Sequence, residues 1–322
     1  MKRYIIMFMS LVCVACKVDF DFRDLDSDPI LHLDMDLVMG SGSHHYLSGF
    51  IYPVPSAAGE REFSEELYCR MEVYHNLKLV WTRDDIMLHE FAGSVSAGIE
   101  GLAPGDNLKV VAHAEGFPKA EATVTVPQEP PHADISHSRI NASKFRMSIT
   151  IDDDPATEDY YAFAFTKGFF YEGHLQPSGV GPLEPSFGST ESTSFLDLGP
   201  FDVIWEDGEK YYGISDREFN GRKKTIDINM EYPLSGPEQG NHAYYKVYFC
   251  RVSPERFRYE TACHDKGNNV LGFIGLAPST FAYTNVTGGT GCISCSNGYE
   301  TEWIAVSTVS SSEASERLSE AE

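Results

Sequence analysis

The chain has 322 residues, of which 48 are acidic and 25 are basic, and its formal net charge is -23 at pH 7. Hydrophobic residues make up 42% of the sequence and aromatic residues 12%, which is enough for a folded core and excludes a chain that is disordered throughout. The negative charge argues against nucleic-acid binding, because contacts to a phosphate backbone need Lys and Arg side chains. The length fits one large or two ordinary domains.

The first 15 residues have the pattern of an export signal. A short basic start, Lys2 and Arg3, precedes an apolar run that ends at Ala15. This run is shorter than the ~20 residues of a membrane-spanning helix. Cys16 follows the small residue Ala15, as in the lipobox of a bacterial lipoprotein. We therefore predict a lipoprotein signal peptide over residues 1–15 and lipid attachment at Cys16. The alternatives are a secreted protein with a plain thiol and an uncleaved anchor.

Residues 16–29 are rich in acidic side chains and are predicted to form an extended acidic tether. Three of the acids have the one-three-five spacing of an EF-hand, but Pro29 stands where that loop needs glycine and Met35 where it needs glutamate. Acidic residues just behind a lipidated cysteine resemble the signal that sends Bacteroidota lipoproteins to the outer face of the outer membrane. Residence in the inner leaflet is the alternative.

Residues 30–127 are predicted to form an immunoglobulin-like β-sandwich. About seven short β-rich segments occur in about a hundred residues, with no helical period of comparable length. Pro127, Pro130 and Pro131 then interrupt any strand, because proline cannot donate a hydrogen bond to a sheet. Residues 128–132 are therefore predicted to be a Pro-rich linker. The predicted strands cover residues 30–38, 46–54, 67–75, 77–81, 86–99, 108–116 and 120–126.

Residues 133–309 are predicted to form a second, mainly antiparallel β domain with one short helix. Alternation over residues 145–151 places apolar side chains on one face, as in a half-buried strand. The helix is predicted to begin after Ser253, whose hydroxyl suits an N-cap, with Pro254 in its first turn, and to end by Gly267. Further strands are predicted at residues 160–165, 195–198, 202–205, 225–230, 244–252 and 302–309.

Two segments lack the pattern of regular structure. Residues 174–193 are rich in proline and glycine and longer than a typical connection, so we predict a loop that is either functional or a disordered insert. Residues 310–322 are rich in Ser, Glu and Ala and are predicted to be a flexible tail.

Several motifs follow one another along the chain: the acidic alternation behind Cys16, the proline cluster at 127–131, the acidic turn at 152–155 before Tyr160 and Tyr161, and segments 214–221, 253–259 and 268–275. In this order they resemble the motifs of Bacteroidota lipoproteins with a domain of unknown function 4249 (DUF4249), which are usually encoded near TonB-dependent receptors. The end at Cys292 to Cys295 departs from the usual pattern. The resemblance implies a β-rich surface lipoprotein, a TonB-dependent receptor as partner in nutrient uptake, and no established catalytic residues.

The cysteines give one candidate pair. Cys292 and Cys295 have the spacing of a redox Cys-x-x-Cys, but no βαβ pattern surrounds them, and a zinc site would need a second close pair that the sequence lacks. Export to an oxidising compartment favours disulfides. We therefore treat Cys292 and Cys295 as a candidate disulfide, with inert thiols as the alternative.

The sequence predicts no metal site, no cofactor and no catalytic residue. His44 and His45 would point to opposite faces of a strand, which is poor geometry for chelation, and we expect them at the surface. His89 lacks a second histidine four residues later, where Gly93 stands, so the zinc-protease motif is absent. Adjacent acids at 152–154 could contribute to a calcium site, but such acids in a turn are most often simply solvated.

These observations predict a non-catalytic binding accessory to a TonB-dependent transporter. It would be anchored in the outer membrane by lipid on Cys16, face outside, and bind an unknown small molecule or glycan on exposed aromatic side chains. A cell-surface adhesin or assembly component built from β-sandwich domains is the alternative. A hydrolase is a third possibility that only the exported location suggests.

Overall fold

The described part of the chain is almost entirely β-structure with one α-helix, as the composition of its segments predicts. The computed structural model describes residues 28–40, 44–55, 67–88, 93–141, 144–171, 174–177, 186–187, 195–196, 211–231, 242–268 and 283–307. Two sandwich cores lie within these residues, and both the all-β class and the immunoglobulin-like first sandwich are confirmed.

The first sandwich contains seven strands from the N-terminal part of the chain. Strands β4, β3, β6 and β7 form one antiparallel sheet in that order, and β1, β2 and β5 belong to the opposite sheet. The predicted strand 86–99 is divided between β4 and β5. The strands are β1 (Ile30–Met39), β2 (His44–Val54), β3 (Tyr68–His75), β4 (Lys78–Met87), β5 (Gly93–Glu100), β6 (Asn107–Ala114) and β7 (Ala120–Thr125).

The second sandwich packs a sheet of order β12-β15-β9-β8 against β13, β14, β10 and β16. Its core is aromatic, and the rings of Phe163 and Phe249 stack with centroids 4.9 Å apart. The strands are β8 (Asp134–Arg139), β9 (Lys144–Asp152), β10 (Tyr160–Tyr171), β11 (His174–Pro177), β12 (Ser186–Phe187), β13 (Phe195–Leu196), β14 (Tyr211–Ser215), β15 (Lys223–Glu231) and β16 (His242–Val252).

A late strand, β17 (Gly289–Glu300), belongs to both sandwiches. It runs parallel to β1 from the pair Leu31–Gly289 to the pair Met39–Asn297. Its last residues run antiparallel to β16, and β18 (Ile304–Ser307) pairs with the other part of β16. The result is a single ten-stranded sheet that passes through both sandwiches. The sequence patterns do not predict β17, although they do predict a strand close to β18.

β17 also holds the connection between the two cores. Val126 is buried in the first core and Ala133 in the second, and the Pro-rich segment lies between them. The side-chain amide of Asn297 donates to the carbonyl of Pro127 at 3.0 Å, and the backbone N–H of Ala133 donates to the hydroxyl of Tyr299 at 2.7 Å. The side chain of Ile293 packs in the first core, although the predicted division assigns this part of the chain to the second domain.

The helix α1 (Pro254–Asn268) lies where the N-cap motif predicts it and packs against β17. The Ser253 hydroxyl accepts a hydrogen bond from the backbone N–H of Arg256, as expected of a serine N-cap. The backbone N–H of Ser253 donates to the carbonyl of Cys295, which fixes the start of the helix against the shared strand. Among the residues that the structure describes, no helix has both the length and the apolar character needed to cross a membrane.

Several predicted segments lie partly or wholly outside the described residues. The signal peptide, Cys16, most of the acidic tether, the predicted strand 202–205 and the tail 310–322 are among them. The predicted loop 174–193 is only partly described. Within it, β11 pairs with β10 and β12 pairs with β15, so this part of the segment is strand.

Replacement of Gly291 by alanine tests the contact between β17 and β1. Gly291 has φ +96°, and a Cβ there would lie 2.1 Å from the carbonyl oxygen of Leu33. We expect Gly291→Ala to lower the free energy of unfolding by more than about 2 kcal/mol, from backbone strain and lost pairing. Gly98→Ala is the matched control, because nothing lies within 4 Å of its added Cβ. Equal stability of the two variants in urea denaturation would contradict the close approach of β17 to β1.

Candidate functional site

A polar stripe runs along the face of β1 and β17 that points away from the first core. Apolar residues of β1 alternate into that core, so His32, Asp34 and Asp36 lie on the opposite face. The parallel register places them beside three residues of β17, with His32 opposite Thr290, Asp34 opposite Cys292 and Asp36 opposite Ser294. Polar groups that are more than 250 residues apart in sequence therefore form one surface, which α1 borders.

One end of this stripe is closed by an ion pair under α1. The guanidinium of Arg256 donates to Asp36 at 2.5 Å, and both side chains are largely buried. The hydroxyls of Ser294 and Ser296 also donate to Asp36, at 2.7 and 3.3 Å. Because both carboxylate oxygens of Asp36 already accept hydrogen bonds, the role of Asp36 is to attach α1 to the sheet. Removal of Arg256 would leave a charge without its partner in a buried position, which is costly.

The other end of the stripe carries a stacked pair of rings. His32 stacks on Tyr52 of β2, with ring centroids 4.3 Å apart and planes inclined by 18°. The Nδ1 atom of His32 is 3.0 Å from the hydroxyl of Thr290, and its Nε2 atom is buried with no hydrogen-bond partner. Burial lowers the pKa of His32 to about 4, so the imidazole is neutral at pH 7.

Between the two ends, acidic groups from β1 and α1 face one another. Asp34 keeps access to solvent although protein surrounds much of it, and burial together with the negative charge of Asp36 raises the pKa of its carboxyl. Burial raises the pKa of Glu260 to about 7; Arg256 opposes this shift, and Asp34 adds to it. Burial and the charge of Asp34 likewise raise the pKa of the Tyr259 hydroxyl. We call His32, Asp34, Tyr52, Tyr259, Glu260 and Cys292 the β1–α1 site.

The chemistry of the β1–α1 site suits a polar ligand that is neutral or positively charged. Its acidic side chains outnumber its basic ones, so an anion would be repelled. Hydroxyl and carboxyl groups supply both donors and acceptors, and the rings of Tyr52 and Tyr259 supply flat contact area. Burial and the charge of Asp34 raise the pKa of the Cys292 thiol, which disfavours the thiolate that a cysteine nucleophile needs.

The two cysteines of the candidate disulfide are free thiols in the structure. Cys295 packs in the first core, whereas Cys292 interacts with the acids Asp34, Asp36 and Glu260. Residues three apart on a strand point to opposite faces, so this geometry does not favour a bond between their sulfurs. The predicted lipid-attachment residue, Cys16, lies outside the described residues.

The vicinal histidines do point to opposite faces of β2, but only one of them is at the surface. His44 is exposed, with its Nδ1 3.9 Å from Glu100. His45 is buried, and burial lowers its pKa, so the expected surface position is wrong for His45. The two rings are therefore not placed to chelate one ion together.

Sequence patterns alone do not indicate the β1–α1 site, because its residues come from three distant segments: the β1–β2 pair, α1 and β17. Each acid of β1 has the pattern of an ordinary solvated strand position. The available signal was the alternation of Thr290, Cys292, Ser294 and Ser296, which matches the polar positions of β1. Without knowledge of the pairing between β1 and β17, neither pattern indicates the other.

Comparison with known proteins identifies the family. The model of the family described as a domain of unknown function (DUF4249) matches residues 78–302, which is more than half of the chain. The chain belongs to the DUF4249 family. The match includes α1 and nearly all of β17, whereas β1 and β2 lie before it. In this DUF4249 protein, the β1–α1 site thus combines strands outside the matched range with a helix and a strand inside it.

Solved structures give only distant similarity to the DUF4249 protein. The FN1-FN3 domains of chicken CNTN1 are 12% identical, with a TM-score of 0.27, over 70% of this chain and 61% of that one. Purple acid phosphatase PPD1 from yellow lupin is 9% identical, with a TM-score of 0.16, over 69% of this chain and 38% of that one. This protein therefore spans less than two thirds of either chain. No curated protein matches it.

Replacement of Glu260 by glutamine tests the electrostatics of the β1–α1 site. Because the folded-state pKa of Glu260 is raised to about 7 from its ordinary value of 4.5, its protonated form stabilises the fold at low pH, and this contribution is lost as the pH rises through 7. The glutamine amide stays neutral at every pH. We expect the variant to gain about 1–2 kcal/mol relative to the wild type between about pH 5 and about pH 8 in urea denaturation.

The variant Asp34→Asn provides the control for this measurement. It removes one of the negative charges that raise the pKa of Glu260, so the pH at which the stability difference develops should fall. A difference between wild type and Glu260→Gln that does not change with pH would show that Glu260 is not held among acids.

Proposed function

We propose that this protein is a lipoprotein anchored at the outer face of the outer membrane, where it serves as a non-catalytic binding accessory to a TonB-dependent nutrient transporter. The export signal, Cys16 and the acidic tether support the anchor, and the motifs that resemble DUF4249 lipoproteins support the partner. The observation that carries the proposal is the position of the β1–α1 site on the first strand after the tether.

The covalent chain limits how far this site can lie from the anchor. β1 begins at Ile30, and His32 and Asp34 lie on that strand. The roughly 14 residues from Cys16 to Ile30 span at most about 50 Å when fully extended. A lipid on Cys16 would therefore keep the site close to the membrane surface. A ligand captured there would be near a transporter in the same membrane.

The ligand class follows from the groups of the site. A neutral polyhydroxylated molecule such as a glycan would use the carboxyl groups of Asp34 and Glu260 for hydrogen bonds, and the tyrosine rings for stacking. The raised pKa of the Cys292 thiol supports binding over covalent catalysis.

Labelled palmitate tests the anchor. We expect wild-type cells to incorporate the label into the protein and to retain it in the membrane fraction, whereas Cys16→Ser should abolish incorporation and release the protein, since acyl chains supply the membrane affinity. Cys263→Ser is the control, because Cys263 is an exposed thiol in α1 and should leave labelling unchanged. Labelling of Cys16→Ser at the wild-type level would contradict the proposed anchor.

Affinity capture tests the proposed partner. The tagged wild-type protein, extracted in mild detergent, should recover a TonB-dependent receptor, and Cys16→Ser should recover less of it because the two would no longer share a membrane. Repeated isolation of the wild-type protein alone, under conditions that preserve other membrane complexes, would argue against the accessory function.

The second candidate, a cell-surface adhesin or assembly component, is favoured by the edge of the first sandwich. Within the described sheet, β4 pairs only with β3, and Leu79 and Val80 are exposed on it. Leu77, at the turn before β4, is 92% exposed and has φ +72°, an unusual backbone for leucine. Edge strands and exposed apolar side chains are common sites of protein contact.

Leu77→Gly separates this candidate from the accessory function. Glycine adopts positive φ without strain, so the variant should be at least as stable as the wild type while it lacks the exposed apolar side chain. Under the adhesin hypothesis, cells with Leu77→Gly should lose attachment and keep growth on all nutrients. Unchanged attachment would remove the observation that favours this candidate.

A further inference from the structure

Three buried carboxylates meet at one end of the second sandwich, away from the β1–α1 site. Asp153 follows β9, Asp159 precedes β10, and Asp216 opens the short 3-10 turn after β14. All three residues are buried, and one carboxylate oxygen from each lies within 4.8 Å of the others. The loop between β9 and β10 and the loop between β14 and β15 thus present three acids to one point.

Hydrogen bonds position two of the carboxylates. Asp153 accepts from the hydroxyl of Tyr161 at 2.5 Å and from the backbone N–H of Gly221 at 2.8 Å. Asp159 accepts from the hydroxyl of Thr157 at 3.0 Å and from the guanidinium of Arg251 at 2.9 Å. These contacts hold the oxygens in place, but they supply only one positive charge for three acids.

Asp216 is the carboxylate whose hydrogen bonding is incomplete. It is 0% exposed, and one of its oxygens accepts from the backbone N–H of Asp159 at 2.8 Å. The other oxygen is buried with no hydrogen-bond partner. An unpartnered carboxylate oxygen in a buried position is costly, and here it belongs to the side chain that faces two further acids.

We propose that Asp153, Asp159 and Asp216 bind a divalent cation, with Ca²⁺ as the ion that their chemistry fits. Three carboxylates and the guanidinium of Arg251 leave a formal charge that one divalent ion balances. All three ligand atoms would be carboxylate oxygens. Hard cations such as Ca²⁺ prefer oxygen ligands, whereas zinc is usually bound by nitrogen and sulfur. Two oxygens that lie within 4.8 Å of each other can both be reached by one ion at the ~2.4 Å distance typical of Ca²⁺.

The ion would connect the two loops directly. Asp153 and Asp159 flank the loop between β9 and β10, and Asp216 begins the loop that leads to β15. The backbone N–H of Asp216 already donates to the carbonyl of Asp159 at 3.0 Å. A shared cation would add ligand bonds across the same gap, so occupancy of the site would order this end of the second sandwich.

Thermal unfolding with added metal tests the proposal directly. In EDTA the variant Asp216→Asn should be folded, because asparagine keeps the acceptor for the N–H of Asp159 and removes one of three facing charges. Added Ca²⁺ should raise the wild-type midpoint by about 3 °C or more, and the rise should be absent in Asp216→Asn. Asp154→Asn is the matched control, since Asp154 is exposed in the same turn and caps the N–H of Ala156.

Terbium luminescence gives an independent readout if Asp216→Asn proves unstable. Tb³⁺ prefers the same oxygen ligands, and the ring of Tyr161, hydrogen-bonded to Asp153, is close enough to sensitise it. We expect sensitised emission that Ca²⁺ displaces, with affinity about tenfold or more weaker in Asp153→Asn and unchanged in Asp154→Asn. The proposal is overturned if about 10 mM Ca²⁺ leaves the wild-type midpoint unchanged, or if Asp153→Asn and Asp154→Asn bind the ion equally well.

Discussion

The pairing of β17 with β1 on one side and β16 on the other is the constraint on which the rest of the structure depends. Ser296 and Asn297 of β17 are paired with β1 on one side and with β16 on the other. The same strand holds both ends of the Pro-rich connection through Asn297 and Tyr299. Two sandwiches that could have been connected only by a linker therefore share a sheet. Because β1 and β17 are so distant in sequence, we expect this pairing to form late in folding.

The register of this pairing also produces the β1–α1 site. A shift by one residue would turn Cys292 and Ser294 into the first core and separate them from Asp34 and Asp36. α1 depends on the same strand, since Ser253 bonds to Cys295 and Arg256 reaches across to Asp36. The raised pKa of Glu260 is thus a consequence of strand register combined with helix placement. The cluster around Asp216 is built from different loops, and none of its three acids lies on β17.

Local patterns in the sequence predicted most of the strands but not how the sheets join. The alternation in β9, the β-rich segments at β1 and β16 and the N-cap at Ser253 are local signals, and each element lies where they indicate. β17 was not predicted because residues 291–297 are buried on both faces, so hydrophobic side chains do not alternate there with exposed polar ones as they do in a half-buried strand. The buried position of Asp216 depends on the meeting of two loops, which spacing along the chain does not encode. The resemblance to the DUF4249 family, by contrast, rested on motif order and is supported by the family match.

Unfolding observed separately in each sandwich tests the shared strand most directly. Trp81 packs against the first core, and Trp303 lies beside Lys246 of β16 in the second sandwich. In a Trp205→Phe background, the variants Trp303→Phe and Trp81→Phe would each leave one fluorescent reporter. The shared strand predicts that both reporters follow the same urea transition, with the same midpoint and slope. Two separate transitions, with one sandwich folded while the other is unfolded, would contradict it.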